Sequence, residues 1–317
     1  MRRDDTMGRY ITNFEAKHVN LWGLHTIKLD HQLHELRLYD DVSLAELIDN
    51  VPTKIIHHSV PGMEQNNSAF NHCDFSGLAG KKILDAVKNG RIWVNLMALQ
   101  KVDQRFADIL DAIYEEIGSH IPTFKLLNRS IGLLISSPKT IVHYHSDIPG
   151  QCLWQIRGKK RVWIYPNKEP FLKAEDLENL AREVKEELMP YEPWFDEFAQ
   201  VYDLEPGEML HWPLNGPHKV ENADSLNISL TTEHWTPEIR RSKVMNYGNG
   251  LLRSHFGWAP RSSNLRGPAF WAKAGLSVAW RKSGLQQREH FQPTFEYYVD
   301  PESIDGVRPV SRPDQGR

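Results

Sequence analysis

The chain has 317 residues, with 38 Lys+Arg against 41 Asp+Glu and a formal net charge of −3, a size that allows one large β-rich domain with appended helices or two ordinary domains. Two cysteines, Cys73 and Cys152, are too few and too isolated for a disulfide framework or a zinc site. No run approaches the roughly 18 apolar residues a membrane span needs, and the opening MRRDDTMGRY lacks the apolar stretch of a secretory signal, so no membrane association and a reducing, cytoplasmic setting are expected.

In chain order, a polar leader gives way to HTIKLDHQL (His25 to Leu33), whose period of two predicts a strand. Ser43 with Glu46 three residues on forms a capping-box pattern ahead of Leu47 and Ile48, predicting a helix that starts there. TKIIHHSV (Thr53 to Val60) reads as a strand, the Asn-rich stretch from Pro61 to Phe75 as a loop, and LAGKKILDAVKNG as a short helix closed by Gly90. IWVNLM follows as a strand. In DQRFADILDAIYEEIGSH (Asp103 to His120), Phe106, Ile109, Leu110, Ile113 and Ile117 recur at helical spacing and predict an amphipathic helix. No internal repeat is visible.

After Ser130 the texture changes to closely spaced short strands: IGLLISS, IVHYHSD, QCLWQIRG, KRVWIYP, AQVYDLEP, EMLHWP, PHKVENA and LNISLTTEHW. Short strands separated by Gly, Pro and Asn turns predict an antiparallel barrel or two-sheet jelly roll. Its Trp154, Trp163 and Trp212 are expected in the barrel core. The acidic stretch KAEDLENLAREVKEELMP interrupts these strands and predicts a helix, either solvated or part of a lid over the barrel mouth. From Pro237 onward there are 13 Lys+Arg and 7 Asp+Glu, a net of +6 that leaves −9 for the first 236 residues. The excess is spread thinly, which favours a solvated face and argues against a nucleic-acid partner. This tail contains a helix around PAFWAKAGLSVAWRK and a strand, PTFEYYVD; its Trp258, Phe270, Trp271 and Trp280 need cover, expected from the barrel. The resulting division is an N-terminal α/β flank (1–120), a core (121–236) with its helical insertion (167–197), and a helical, basic extension (237–317).

The chemistry-bearing residues sit in two stretches, IVHYHSDIPGQCLWQIRGKKRVWIYP and EPGEMLHWPLNGPHKVEN. His145 and Asp147, two apart on a strand, point to one face. His218 in the second stretch supplies a third donor. Two His and one carboxylate, with the opposite positions open, suit non-haem Fe(II) and its oxygen chemistry. Taken singly, His145 or Asp147 reads better as a surface or turn residue beside Pro149-Gly150. Along LNISLTTEHW, Asn227, Ser229, Thr231 and Glu233 form one polar face, with Asn227 the preferred pocket residue. By strand alternation His143 shares the face of His145 and Asp147, so the stretch also contains an H-x-H.

The spacing His145, Asp147, Gln155, Ile156, Gly158, Lys160, Arg161, Tyr165, Pro166, followed by Gly207, Glu208, Leu210, Pro213 and His218, resembles the Jumonji C branch of the cupin superfamily, the Fe(II)- and 2-oxoglutarate-dependent oxygenases. The resemblance covers Ile131 to Trp235. It implies a double-stranded β-helix core, mainly β with helical flanks. It also implies Fe(II) held by His145, Asp147 and His218, 2-oxoglutarate with its far carboxylate on Lys160, O2 as the oxidant, and hydroxylation of a C–H bond in a protein, peptide or small molecule. Gln151 stands where relatives place an amide near the cosubstrate. A homodimer through the C-terminal extension is a further implication. Where relatives carry a Thr three residues before the first ligand His, Val142 stands here, leaving the hydroxyl partner of the far carboxylate unassigned. Two other readings stay open: a cupin-fold sensor that binds metal or a small acid without turnover, and a cupin metalloenzyme that uses His143 and no 2-oxoglutarate. The second lacks the glutamate of the older cupin motif.

Overall fold

The computed structural model of the protein describes residues 9–52, 56–60, 71–75, 77–184, 189–260, 262–288 and 295–310. After α1 (Ala16–Leu21) comes β1 (Ile27–Asp30), in which Ile27 and Leu29 turn inward while Lys28 and Asp30 stay exposed. β1 is shorter than the predicted strand, because residues 33–35 coil into a single 3-10 turn. α2 (Asp41–Asn50) begins a turn before the expected cap: the Asp40 carboxylate accepts from Ser43 N–H at 2.8 Å. Ser43 is thereby a recipient of capping inside the first turn, and its hydroxyl donates to the Arg37 carbonyl.

β2 (Ile56–Val60) lies where a strand was expected, with residues 53–55 outside the described set. Of the stretch read as a loop, residues 61–70 also lie outside it, but Asn71–Asp74 forms β3. α3 (Gly80–Asn89), β4 (Trp93–Leu96) and α4 (Gln104–His120) follow. The Asp103 carboxylate caps α4 by accepting from Arg105 N–H, and Phe106, Ile109, Leu110, Ile113 and Ile117 are buried as their spacing predicts.

Eight strands then build the barrel: β5 (Asn128–Ser136), β6 (Ile141–His145), β7 (Gly150–Arg157), β8 (Lys160–Ile164), β9 (Gln200–Leu204), β10 (Glu208–His211), β11 (His218–Asn222) and β12 (Asn227–Trp235), with α5 (Ala174–Arg182) between β8 and β9. The tail holds α6 (Pro237–Phe256), α7 (Pro268–Lys282), β13 (Phe295–Val299) and β14 (Val307–Pro309). Among the described residues there are two sheets, ordered β1-β10-β7-β12-β5-β4-β2-β3-β13-β14 and β6-β11-β8-β9. Every pairing is antiparallel except that of β13 with β3. Alternation on β5 shows how the sheet serves two cores: Ile131, Leu133 and Ile135 point outward among the N-terminal helices, and Leu134 points inward. Leu153, Val162, Ile164, Leu204, Leu210 and Val220 fill the space between the sheets, each contributing about 1.5–3 kcal/mol by burial.

The described part of the acidic insertion is not a solvated helix. α5 is clamped to α6: Leu180 and Ala181 are buried, and Glu178 accepts from Arg253 Nε at 2.6 Å while 1% exposed. Gly250 permits this approach, since a Cβ there would stand 2.6 Å from Arg182 Cδ. Residues 185–188 of the insertion lie outside the described set. The tail aromatics also depart from expectation, because the tail covers its own: Phe270 lies against Arg241 of α6 and Trp280 packs near Tyr247 and Leu251, while Trp258 and Trp271 remain exposed. The tail is not only helical, for β13 joins the sheet at β3. Among the described residues no helix is long and apolar enough to cross a membrane.

Candidate metal centre

β6 and β11 pair so that His145 faces His218 across the small sheet. Their ring centroids are 4.0 Å apart, and one donor atom from each of His145, Asp147 and His218 lies within 4.8 Å of the others. Each imidazole is oriented from behind. His145 Nδ1 lies 2.7 Å from the His143 carbonyl and His218 Nδ1 lies 3.1 Å from that of Gly216; a carbonyl only accepts, so these contacts assign the proton to Nδ1 and leave Nε2 as the nitrogen able to take a metal. Asn215, at φ 57°, clips the two ligand loops together: its amide donates to the Asp147 carbonyl, and its own carbonyl accepts from the Ser146 hydroxyl.

His143 does not join this cluster. The β6–β11 register shifts between His218 and Val220, so that His143 and Tyr144 together oppose Lys219. This bulge breaks the alternation. Val142 instead of His143 lines the cavity, and Tyr144 is buried on the opposite side among Phe171, Leu180 and Phe195.

Burial pushes the Asp147 carboxyl up, with Glu233 adding to the shift, and drives His218 well below its ordinary value. A buried carboxylate beside two neutral imidazoles is costly until a cation is shared among them. Two nitrogens and one oxygen on one side of the position fit a divalent ion that keeps open positions for exchangeable ligands.

A cavity of about 140 Å³ runs from these three residues to Lys160. His218 and Asn222 are four residues apart on β11, roughly 13 Å at strand rise, and Asn222 pairs with Lys160 on β8. Lys160 is 5% exposed and burial alone pulls its ammonium down to about 7. Lys159 is exposed and bound to Glu205, as strand alternation predicts. Gln151 lines the metal end of the cavity, directly across from Glu233.

Asn227 is the one predicted pocket residue that falls elsewhere. It lies on the inward face, but Gln155 fills the space before it: Gln155 donates to Asn227 Oδ1 at 2.8 Å and accepts from the Ser229 hydroxyl at 2.7 Å. The cavity is lined instead by Thr231 and Glu233 of the same strand, and by Asn222, Ser136 and Trp212. Asn222 follows His218 by two alternation steps and was legible on that ground; its amide donates to Ser136 Oγ at 2.7 Å and to the Ser137 carbonyl at 2.9 Å.

A family model described as a cupin-like domain matches residues 40–237. A search of the curated proteins finds no match. Among solved structures the chain is similar to the X-ray structure of Escherichia coli ycfD, with a TM-score of 0.51 and 14% identity over 86% of this chain and 68% of that one. Similarity extends to the Escherichia coli ribosomal oxygenase YcfD in complex with cobalt and 2-oxoglutarate (TM-score 0.48, 15% identity, 86% and 67% covered). It reaches the DMSP lyase DddQ from Ruegeria pomeroyi DSS-3 only in part (TM-score 0.22, 12% identity, 35% and 40% covered). The first of these shares the fold.

Proposed function

The chain belongs to the cupin-like domain family, and from that premise we propose that it is an Fe(II)- and 2-oxoglutarate-dependent oxygenase that hydroxylates a C–H bond of a protein, peptide or small-molecule substrate. One observation carries this reading: a His-Asp-His donor set and a buried lysine close opposite ends of one cavity. A divalent ion alone would explain the first end. Lys160, whose ammonium no described carboxylate neutralises, calls for an anion at the other.

When bound, Fe(II) and 2-oxoglutarate supply the activation of O2 that side chains cannot. His145 and His218 hold the ion through Nε2 and Asp147 through a carboxylate oxygen. Lys160 would bind the far carboxylate of the diacid, and that anion would favour its charged form. Ser136 Oγ accepts from Asn222 and lines the same cavity, which leaves its own O–H to donate and offers it as the hydroxyl partner that Val142 cannot be. Leu134, Leu153 and Val220 keep that end dry, strengthening the ion pair. Gln151 offers an amide at the metal end. Incubation with labelled 2-oxoglutarate tests the reading: succinate release that needs Fe(II) and O2 is expected, and tight binding of metal and diacid without release would leave a sensor in place of an enzyme.

A further inference from the structure

We propose that Asn215 is the positioning residue of the metal centre, holding Asp147 beside the two histidines before any ion arrives. This rests on the metal-binding part of the oxygenase reading and is independent of turnover.

Strand pairing fixes only two of the three ligand residues. His145 and His218 face each other in the β6–β11 register. β6 ends at His145, so Asp147 stands in the link to β7 and has no register partner among the described residues. Burial penalises its charge, and an untied link would let the carboxylate swing out of the cluster toward water. Asn215 supplies the tie. Its amide donates to the Asp147 carbonyl at 2.6 Å, and its own carbonyl accepts at 3.0 Å from the hydroxyl of Ser146, which is fully buried.

The turn that carries Asn215, PLNGP from Pro213 to Pro217, also serves His218. Gly216 N–H donates to the Pro213 carbonyl at 2.9 Å, and the Gly216 carbonyl lies 3.1 Å from His218 Nδ1. One turn therefore orients two ligand residues that come from different strands' ends. Its chemistry at position 215 is demanding, because the backbone is left-handed, at φ 57°, and the side chain must also donate. Gly adopts that backbone but has no side chain, and Asp tolerates it but sets an acceptor against a carbonyl. Asn meets both requirements.

The test is a titration of the metal-free protein with Co(II), followed by its visible absorption bands, which report ligand number and geometry. Asn215→Gly keeps the turn and removes the contact. It is expected to weaken Co(II) binding roughly 10- to 100-fold and to change the bands, with the thermal midpoint of the metal-free chain near that of wild type. Asn215→Asp is expected to weaken binding further, and Ser146→Ala, which spares the turn and breaks only the reciprocal contact, to weaken it least. Asn167 ties the same turn through the Leu214 carbonyl at 3.1 Å instead of through a ligand residue, so Asn167→Ala is expected to keep both affinity and bands. Wild-type affinity and bands in those of the three site variants that fold overturn the proposal. So does an equal loss at Asn167→Ala, or a lowered thermal midpoint with unchanged bands, the mark of a residue that only supports the fold. Failure of the wild-type chain to bind Co(II) overturns the metal centre and this inference with it, whereas tight wild-type binding with indifferent variants overturns the inference alone.

Discussion

His145 and His218 at the cavity, and His211 and His234 on the outer face of the large sheet, are two histidine pairs in one barrel with opposite uses. All four are buried. Low basicity does not separate them, since burial holds His211 at about 4 and His234 at about 3 and also drives His218 far down. What separates them is where the second ring nitrogen goes. His211 has protein partners on both sides, Nδ1 at the Gln151 carbonyl and Nε2 accepting from Gly23 N–H, and it stacks on Trp22 at 4.0 Å. His234 lies 3.3 Å from the Tyr114 hydroxyl, with the Gly150 backbone pressed so close to its ring that any Cβ would overlap it. In the cavity pair each Nδ1 goes to a local carbonyl, and His218 Nε2 stands 3.5 Å from Asp147 Oδ2. A buried histidine is thus read as structural or ligating by its second nitrogen.

The strongest way to break this comparison is to delete a member of the triad. His145→Ala, Asp147→Ala or His218→Ala is expected to lower Fe(II) affinity by more than about 100-fold, beyond the 10- to 100-fold typical of outer partners, with little change in thermal midpoint. Bound iron measured after desalting checks this; retention of stoichiometric iron by any of the three would remove that residue from the ligand set.

On the other pair the effect should appear in stability. His211→Ala or His234→Ala is expected to cost about 2–4 kcal/mol through a cavity and stranded polar groups, read by urea unfolding, while the folded fraction keeps its iron. The sign of the pH dependence follows from the lowered values. Below pH 6.5 the unfolded chain takes up protons that the folded rings refuse, so their contribution is complete above pH 6.5 and disappears as pH falls toward about 4. A metal-free urea midpoint that does not drop between pH 7 and pH 5 would contradict this.

Lys160→Ala sharpens the cavity side by isolating its far end. Loss of a charge-assisted contact to a carboxylate predicts a rise of roughly 10- to 150-fold in the 2-oxoglutarate requirement, with iron retained. Lys159→Ala, removing an exposed pair with Glu205, should change nothing measurable; the reverse pattern would mean the register of β8 is shifted by one. At His143, which the bulge sets outside the donor cluster, His143→Ala should alter iron affinity by no more than the 10- to 100-fold of an outer partner, and a loss matching that of Asp147→Ala would restore the H-x-H reading.

Much of this was legible because it is periodic. The apolar spacing from Phe106 to Ile117 specified α4, and alternation specified the barrel strands and the opposed directions of Lys159 and Lys160. Misreadings arose where a non-local partner or a bulge overrode the period. β3 sits in an Asn-rich stretch and exists through β2 and β13, neither visible locally. Alternation placed Asn227 on the correct face, yet it could not show that Gln155 would occupy the space in front of it. The same rule put His143 on the face of His145 and Asp147, and the bulge opposite Lys219 breaks that alternation. At α2, Asp40 and Ser43 were both competent caps, and the choice fell to the one whose carboxylate reaches the other's N–H.

The parallel pairing of β13 with β3 sets Phe295 opposite His72, partners separated by nearly the whole barrel in sequence. During synthesis, therefore, the N-terminal flank presents the open edge of β3 until the segment that seals it has been made. Parallel contacts between distant segments form slowly, and an unsealed edge can recruit another chain. A chain that lacked β13 would hold its cupin-like barrel complete in sequence while leaving the edge of β3 unpaired.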